Sequence, residues 1–277
     1  MRWARALLPV VLMLLQACTA AFFQPMRPMV LTPARIGLEY EDVYFNAADG
    51  TRLHAWYLPA RGETKGTLLF LHGNAQNIST HIASVYWLPA RGYGVLLLDY
   101  RGYGESAGSP SLPGALQDGE AALDWLAARP EVSSRGMVVF GQSLGGSLAV
   151  YVVAHSKHRP QIRGLIVDSA FSSYRRMARE VLGRWWVSWA FQWPLSFAVS
   201  DGYDPVDNIA AVSPIPVLIM HSEQDQVVPV AHARALYAAA RAPKTLWLLP
   251  DGGHILALLE EDNRLRFTAY LARLFVP

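Results

Sequence analysis

The stretch Met137-Val138-Val139-Phe140-Gly141-Gln142-Ser143-Leu144-Gly145-Gly146 carries an apolar run into a glycine-flanked serine, and helical spacing resumes at once over 144–154. A strand that turns this sharply into a helix forces the serine into strained backbone angles, and flanking glycines leave room for strand and helix to approach. The hydroxyl of Ser143 is then lifted clear of the sheet, with the following backbone N–H groups aimed at the same point. Ser143 is therefore the candidate nucleophile.

Short apolar runs at 67–71, 94–98, 137–140, 164–167, 215–220 and 245–249 are separated by segments of helical spacing such as 115–128. This alternation predicts βαβ units and an α/β fold: a mostly parallel central sheet with helices on both faces. From 38 to 59 apolar and polar residues alternate around Asp49-Gly50, which predicts an antiparallel hairpin at one sheet edge. The segment 171–203 breaks the pattern. It holds Trp185, Trp186, Trp189, Phe191, Trp193 and Phe197 and reads as a small aromatic-rich cap inserted over the sheet, while Arg184, Gln192 and Pro194 make it a poor membrane span. Such a cap can shape an acyl pocket or touch lipid, or it can simply bury aromatics over the sheet.

The 277 residues suit one domain, 37–277, and a composition of 52% hydrophobic and 17% charged residues excludes a disordered chain. The formal charge of +2 is matched by Arg2 and Arg5, which precede Cys18 with no acidic residue among them. The remainder is neutral and lacks clustered Lys/Arg, so nucleic acid is not an expected partner. Arg2 and Arg5 lead into an apolar run from Ala6 to Leu15. That run is too short to span a bilayer and has the length of a signal-peptide core. It ends Leu15-Gln16-Ala17-Cys18, similar to the cleavage box of bacterial lipoproteins, although Gln16 is a less usual residue there. We therefore read 1–17 as a lipoprotein-type signal peptide and Cys18, the single cysteine, as the lipidated first residue. An ordinary secretory signal with an incidental cysteine is the alternative. Residues 18–36, with Pro25, Pro28 and Pro33, read as a tether. The expected location is the outside face of a bacterial membrane; Thr19, in place of aspartate, favours the outer membrane in a diderm host.

A serine hydroxyl needs a base to take its proton during attack. Of the eight histidines, His254 follows the last apolar run in the loop Pro250-Asp251-Gly252-Gly253-His254, at the carboxyl end of the sheet where ligands gather. Asp225, in the loop after the fifth run, suits the acid that orients the imidazole, and the order Ser, Asp, His is the one expected for this topology. Glu223 and Asp251 are its rivals. The oxyanion hole is expected from the backbone N–H of Leu144 and, in His72-Gly73-Asn74-Ala75, from that of Asn74 in preference to Ala75. His72 reads as a brace for that loop.

On these residues the chain resembles the α/β-hydrolase superfamily over 38–277. The loop His72 to Ala75, the stretch Asp99-Tyr100-Arg101-Gly102-Tyr103-Gly104 and the turn Gly141 to Gly146 resemble one branch in particular. It contains membrane-associated hydrolases, protein depalmitoylases among them, and bacterial members labelled as serine peptidases. The resemblance implies Ser143, Asp225 and His254 as a catalytic triad, and a structural role for 99–104. Ser222 departs from the glycine common at its position.

The reading that results is a serine hydrolase acting on a small-molecule or acylated substrate, an ester or thioester with an apolar acyl group, through an acyl-Ser143 intermediate. Such chemistry requires no metal and no organic cofactor. A peptidase on the same triad is the second reading, and an aminopeptidase would need a carboxylate near the pocket, for which Glu180, Asp201 and Asp204 are candidates. A non-catalytic lipoprotein that binds a partner is the third.

Overall fold

The computed structural model describes residues 22–184, 192–197, 199 and 202–276. The signal peptide, Cys18, and the cap residues Trp185, Trp186, Trp189, Phe191 and Asp201 lie outside them.

Ten strands are described: β1 (Gln24–Pro25), β2 (Glu41–Asn46), β3 (Arg52–Leu58), β4 (Gly66–Leu71), β5 (Ala75–Gln76), β6 (Tyr93–Asp99), β7 (Met137–Gln142), β8 (Ile162–Asp168), β9 (Val217–Ser222) and β10 (Lys244–Leu249). Eight form the main sheet in the order β10-β9-β8-β7-β4-β6-β3-β2. β3 alone runs opposite to the other seven strands, pairing antiparallel with β2 in the expected hairpin and with β6. The other pairs are parallel. Alternate residues of the central strands face opposite sides, as strand geometry requires. Leu69, Leu71, Leu96, Leu98 and Val139 enter one core, while Leu68, Phe70, Val95, Leu97, Val138 and Phe140 enter the other. Covering both faces is what makes these strands read as continuous apolar runs, and each such side chain contributes about 1.5–3 kcal/mol when buried.

The first core is closed by α1 (Leu112–Ala127), α2 (Leu144–His155) and α5 (Ala231–Ala239), the second by α6 (Glu261–Leu274), which inserts Phe267 and Leu271. Helix α1 starts where Ser111 accepts a hydrogen bond from the Gly114 amide, an N-cap that satisfies one free N–H. The cap insertion contributes α3 (Tyr174–Gly183) and α4 (Gln192–Ser196). Among the described residues no helix is long and apolar enough to cross a membrane.

From β4 the chain crosses to β6 on one side and then to β7 on the other, so the strand order reverses at β4. The crevice at the carboxyl ends of β4 and β7 is the place where such sheets bind ligands.

The tether reading of 18–36 needs correction from residue 22 onward. Phe23 is buried, β1 pairs in parallel with β5, and the Met26 amide donates to the Gln76 carbonyl. Asn77 Nδ2 donates to the carbonyls of Met26 and Pro28, and residues Pro33–Ile36 form a 3-10 turn. The prolines favour an extended backbone, and here that backbone is a strap laid across the domain, with Phe22, Phe23, Met29 and Leu31 turned into the cores.

Candidate active site

Ser143 sits between β7 and α2 at φ 52° and ψ −118°, a conformation that costs a non-glycine residue about 1–3 kcal/mol. The surrounding glycines explain how it is held. A Cβ on Gly145 would overlap the Leu71 and His72 carbonyl oxygens, and one on Gly141 would overlap the Gly145 carbonyl.

The structure brings together three side chains from distant loops. His254 Nδ1 lies 2.8 Å from Asp225 Oδ2, and His254 Nε2 lies 2.9 Å from Ser143 Oγ. A carboxylate can only accept, so Nδ1 carries the proton and donates to Asp225, which leaves Nε2 free to accept from the serine hydroxyl. Asp225 also accepts from the Val227 and Val228 amides at 2.8 and 2.9 Å. Burial alone would raise its carboxyl, but the bond and charge of His254 and these two amides outweigh burial and hold it below the usual range. His221, buried beside it, donates from Nε2 to the Val228 carbonyl at 2.8 Å and so braces the same loop. The rivals are placed elsewhere: Glu223 pairs with Arg234, and Asp251 accepts from Gln224.

Across from Ser143 lies the loop after β4. An added Cβ on Gly73 would stand 3.7 Å from Ser143 Cβ, so the loop is in contact with the nucleophile. Leu144 begins α2 on one side of the cleft and Asn74 lies on the other. Asn74 is held at two points, for Tyr103 Oη donates to its carbonyl at 2.6 Å and its side-chain Oδ1 accepts from the Gln24 amide at 2.9 Å. Ala75 is engaged in β5 pairing with the strap. His72 is buried and donates from Nδ1 to the Gly73 carbonyl, as a brace would.

The cleft opens into a cavity of about 660 Å3. Phe22, Leu144, Phe171, Met177, Val181 and Val199 are among its apolar lining residues, and Ser143 and His254 line it as well. No acidic side chain lines it among the described residues.

Comparisons with known proteins address the family and the fold. A family model described as "Serine aminopeptidase, S33" matches residues 62–200. The "Uncharacterized protein YfhR" of Salmonella typhi is 40% identical over 237 residues, covering 81% of this chain and 76% of its own. The chain belongs to the α/β-hydrolase superfamily. The "Alpha/beta hydrolase domain-containing protein WAV2" of Arabidopsis thaliana is similar at 37% identity, over 81% of this chain and 75% of that protein. Among solved structures, an esterase of Pyrococcus furiosus superposes with a TM-score of 0.74 over 92% of this chain and 98% of its own. At 22% identity that likeness speaks for the fold alone.

Three features of this α/β-hydrolase were not apparent in its sequence. First, His81 lines the cavity, stacked on His72 with ring centroids 5.1 Å apart, and donates to the Ala75 carbonyl. Burial pushes its imidazole down, toward the neutral form. Second, a buried clamp grips the residue after His254. Ile255 stands at φ 57°, an unusual value for a β-branched residue. Its amide donates to Ser169 Oγ at 3.2 Å, and Ser169 donates in turn to Asp168 Oδ1. Gln142 Nε2 donates to Asp168 Oδ2 at 2.9 Å and lies 3.4 Å from the Ile255 carbonyl. Burial pushes the Asp168 carboxyl up to about 6, against the opposing bond from Gln142.

Third, Glu180 is occupied. Its Oε2 accepts from His232 Nε2 at 2.9 Å and its Oε1 from Arg176, while His232 Nδ1 accepts from the Ser172 amide. The pair fastens α3 to α5. Asp204 accepts from the Tyr174 amide. Glu120, Asp124 and His158 are the described side chains whose ligand atoms converge closely enough for a metal ion. None of them lines the cavity, and Lys157 already binds Asp124.

Proposed function

We propose that this hydrolase is a serine enzyme that cleaves an ester or thioester carrying an apolar acyl group. One observation carries the proposal: the Ser143, His254 and Asp225 relay opens onto an apolar cavity with no carboxylate among its described walls. In the first step His254 Nε2 takes the hydroxyl proton as Ser143 Oγ bonds to the substrate carbonyl carbon. The oxyanion is met by the Leu144 and Asn74 backbone N–H groups, and Asp225 stabilises the imidazolium. The carbonyl re-forms, the alcohol or thiol departs with the proton from His254, and acyl-Ser143 remains. Water then repeats the sequence and releases the acid. An aminopeptidase would need an anion to hold the substrate amine, and Glu180 and Asp204 are both engaged elsewhere.

A fluorophosphonate probe should label the wild-type chain and not Ser143→Ala; equal labelling of both rejects the assignment. Acyl esters and thioesters from two to sixteen carbons, run against an aminoacyl amide series, decide the substrate class, and preferential turnover of the amides would favour the peptidase. No turnover of any of them would favour the binding lipoprotein.

The N-terminal sequence supports an exported chain anchored through lipid on Cys18. Growth on an alkyne fatty acid should tag the wild type and leave Cys18→Ala untagged.

A further inference from the structure

Several exposed apolar side chains gather around the cavity mouth. Val181 and Val227 line the cavity itself and still stand 44% and 43% exposed. Leu256, which follows the cavity residues His254 and Ile255, is 45% exposed. Trp193 on α4 and Phe197 just after it are 58% and 62% exposed and line no part of the cavity, so filling the pocket does not account for them. Trp193 is tied to the mouth through α3, where the Arg179 guanidinium lies 4.6 Å from its ring centroid, and Phe197 precedes the cavity residue Val199 by two positions; Arg184, just after α3, donates to the Val227 carbonyl.

The same edge is basic. Between 174 and 184 the chain has Arg175, Arg176, Arg179 and Arg184 against the single acid Glu180, which His232 and Arg176 already bind. Large aromatic side chains beside a cationic amphipathic helix are the features of a segment that lies in a membrane interface. The strap enters the domain at this edge as well. Phe22 and Gln24 line the cavity, and Cys18 precedes Phe22 by four residues, a reach of at most about 14 Å in extended chain.

We propose that this rim is the surface applied to a bilayer containing anionic lipid, and that the acyl chain of the substrate enters the cavity from that bilayer. The proposal rests on the reading of the chain as a membrane-anchored acyl hydrolase. It makes the substrate an amphiphile resident in the membrane, and Trp193 and Phe197 the side chains that seat the mouth on it.

The full chain in vesicles of phosphatidylcholine and phosphatidylglycerol tests this. A fluorophore is placed on Phe197→Cys and, separately, on Glu63→Cys, whose site is exposed before β4 at the opposite end of the sheet. The wild type, with Cys18 alone, sets the background. Doxyl-labelled lipid should quench the fluorophore at 197 well above that at 63. Vesicle flotation without a difference between the two positions overturns the docking and leaves the anchor standing. In a second arm, Trp193→Ser combined with Phe197→Ser should slow turnover of a long-chain ester in vesicles roughly tenfold, with a soluble short-chain ester and fluorophosphonate labelling unchanged. Unchanged vesicle turnover also overturns the proposal. Preferential quenching at 197 in a chain that cleaves neither ester supports the docking and rejects the hydrolase reading.

Discussion

The Tyr103 hydroxyl donates to the Asn74 carbonyl at 2.6 Å. It thereby fixes the Asn74–Ala75 peptide, next to the Asn74 amide expected as the second oxyanion donor, while His72 holds the Gly73 carbonyl that shares a peptide plane with that amide. The Gln24 amide holds Asn74 through its side chain, so the strap and the 99–104 stretch converge on one loop.

Removing that hydroxyl should therefore affect the transition state more than substrate binding. In Tyr103→Phe we expect kcat to fall by about ten- to a hundredfold with KM nearly constant, because a donor that wanders loses value only where the oxyanion forms. Steady-state kinetics on a short-chain ester measure it, and an unaltered kcat would show that the Tyr103 bond does not position the donor.

Asp225→Asn should lower kcat by about four orders of magnitude, since an amide in place of the carboxylate favours the wrong imidazole tautomer and removes the charge that stabilises the imidazolium. In the native chain the Asp225 carboxyl lies below its ordinary range, so the stability it contributes is present above that range and is lost as pH falls through its native value. The substitution should therefore lessen the acid-side decline in thermal midpoint while abolishing most turnover.

Asp168 runs the other way. Its pKa rises on folding from 3.8 to about 6, so between these values the native state keeps a proton that the unfolded chain has lost. Its contribution is greatest below about pH 4 and declines as pH rises to about 6, by on the order of 2–3 kcal/mol. Relative to the wild type, Asp168→Asn should gain stability across that window and level off above it. Thermal melts of the two chains from pH 4 to 8 decide this; a constant offset would contradict the burial argument. Because Asn cannot accept on both arms of the clamp, kcat should also fall, by roughly tenfold.

Gly145→Ala should destabilise the domain by about 3 kcal/mol or more, since the new methyl meets two backbone carbonyls that cannot move without shifting β4. Denaturant midpoints against the wild type give the figure.

The nucleophile turn, the six apolar runs and the loops of Asp225 and His254 were legible because each is written in contiguous residues: a glycine pattern, an apolar run, a turn. The strap was not. Pairing of Gln24 with Ala75 joins positions 51 residues apart, and two phenylalanines among prolines do not announce where they will be buried. The clamp was hidden for a like reason, since Gln142, Asp168, Ser169 and Ile255 meet only once β7, β8 and the loop after β10 are assembled. Glu180 looked available as an amine-binding carboxylate because its partner His232 lies on another helix, 52 residues away.

The first and the last described residues lie at opposite poles of the sheet. Phe22 emerges at the reactive edge, whereas Phe275 packs over Gly66, and Val276 borders Arg135 and Arg163, all near the starts of strands. A reporter or affinity handle fused behind Pro277 would hang clear of arriving substrate, while the same cargo placed ahead of Phe22 would crowd the doorway.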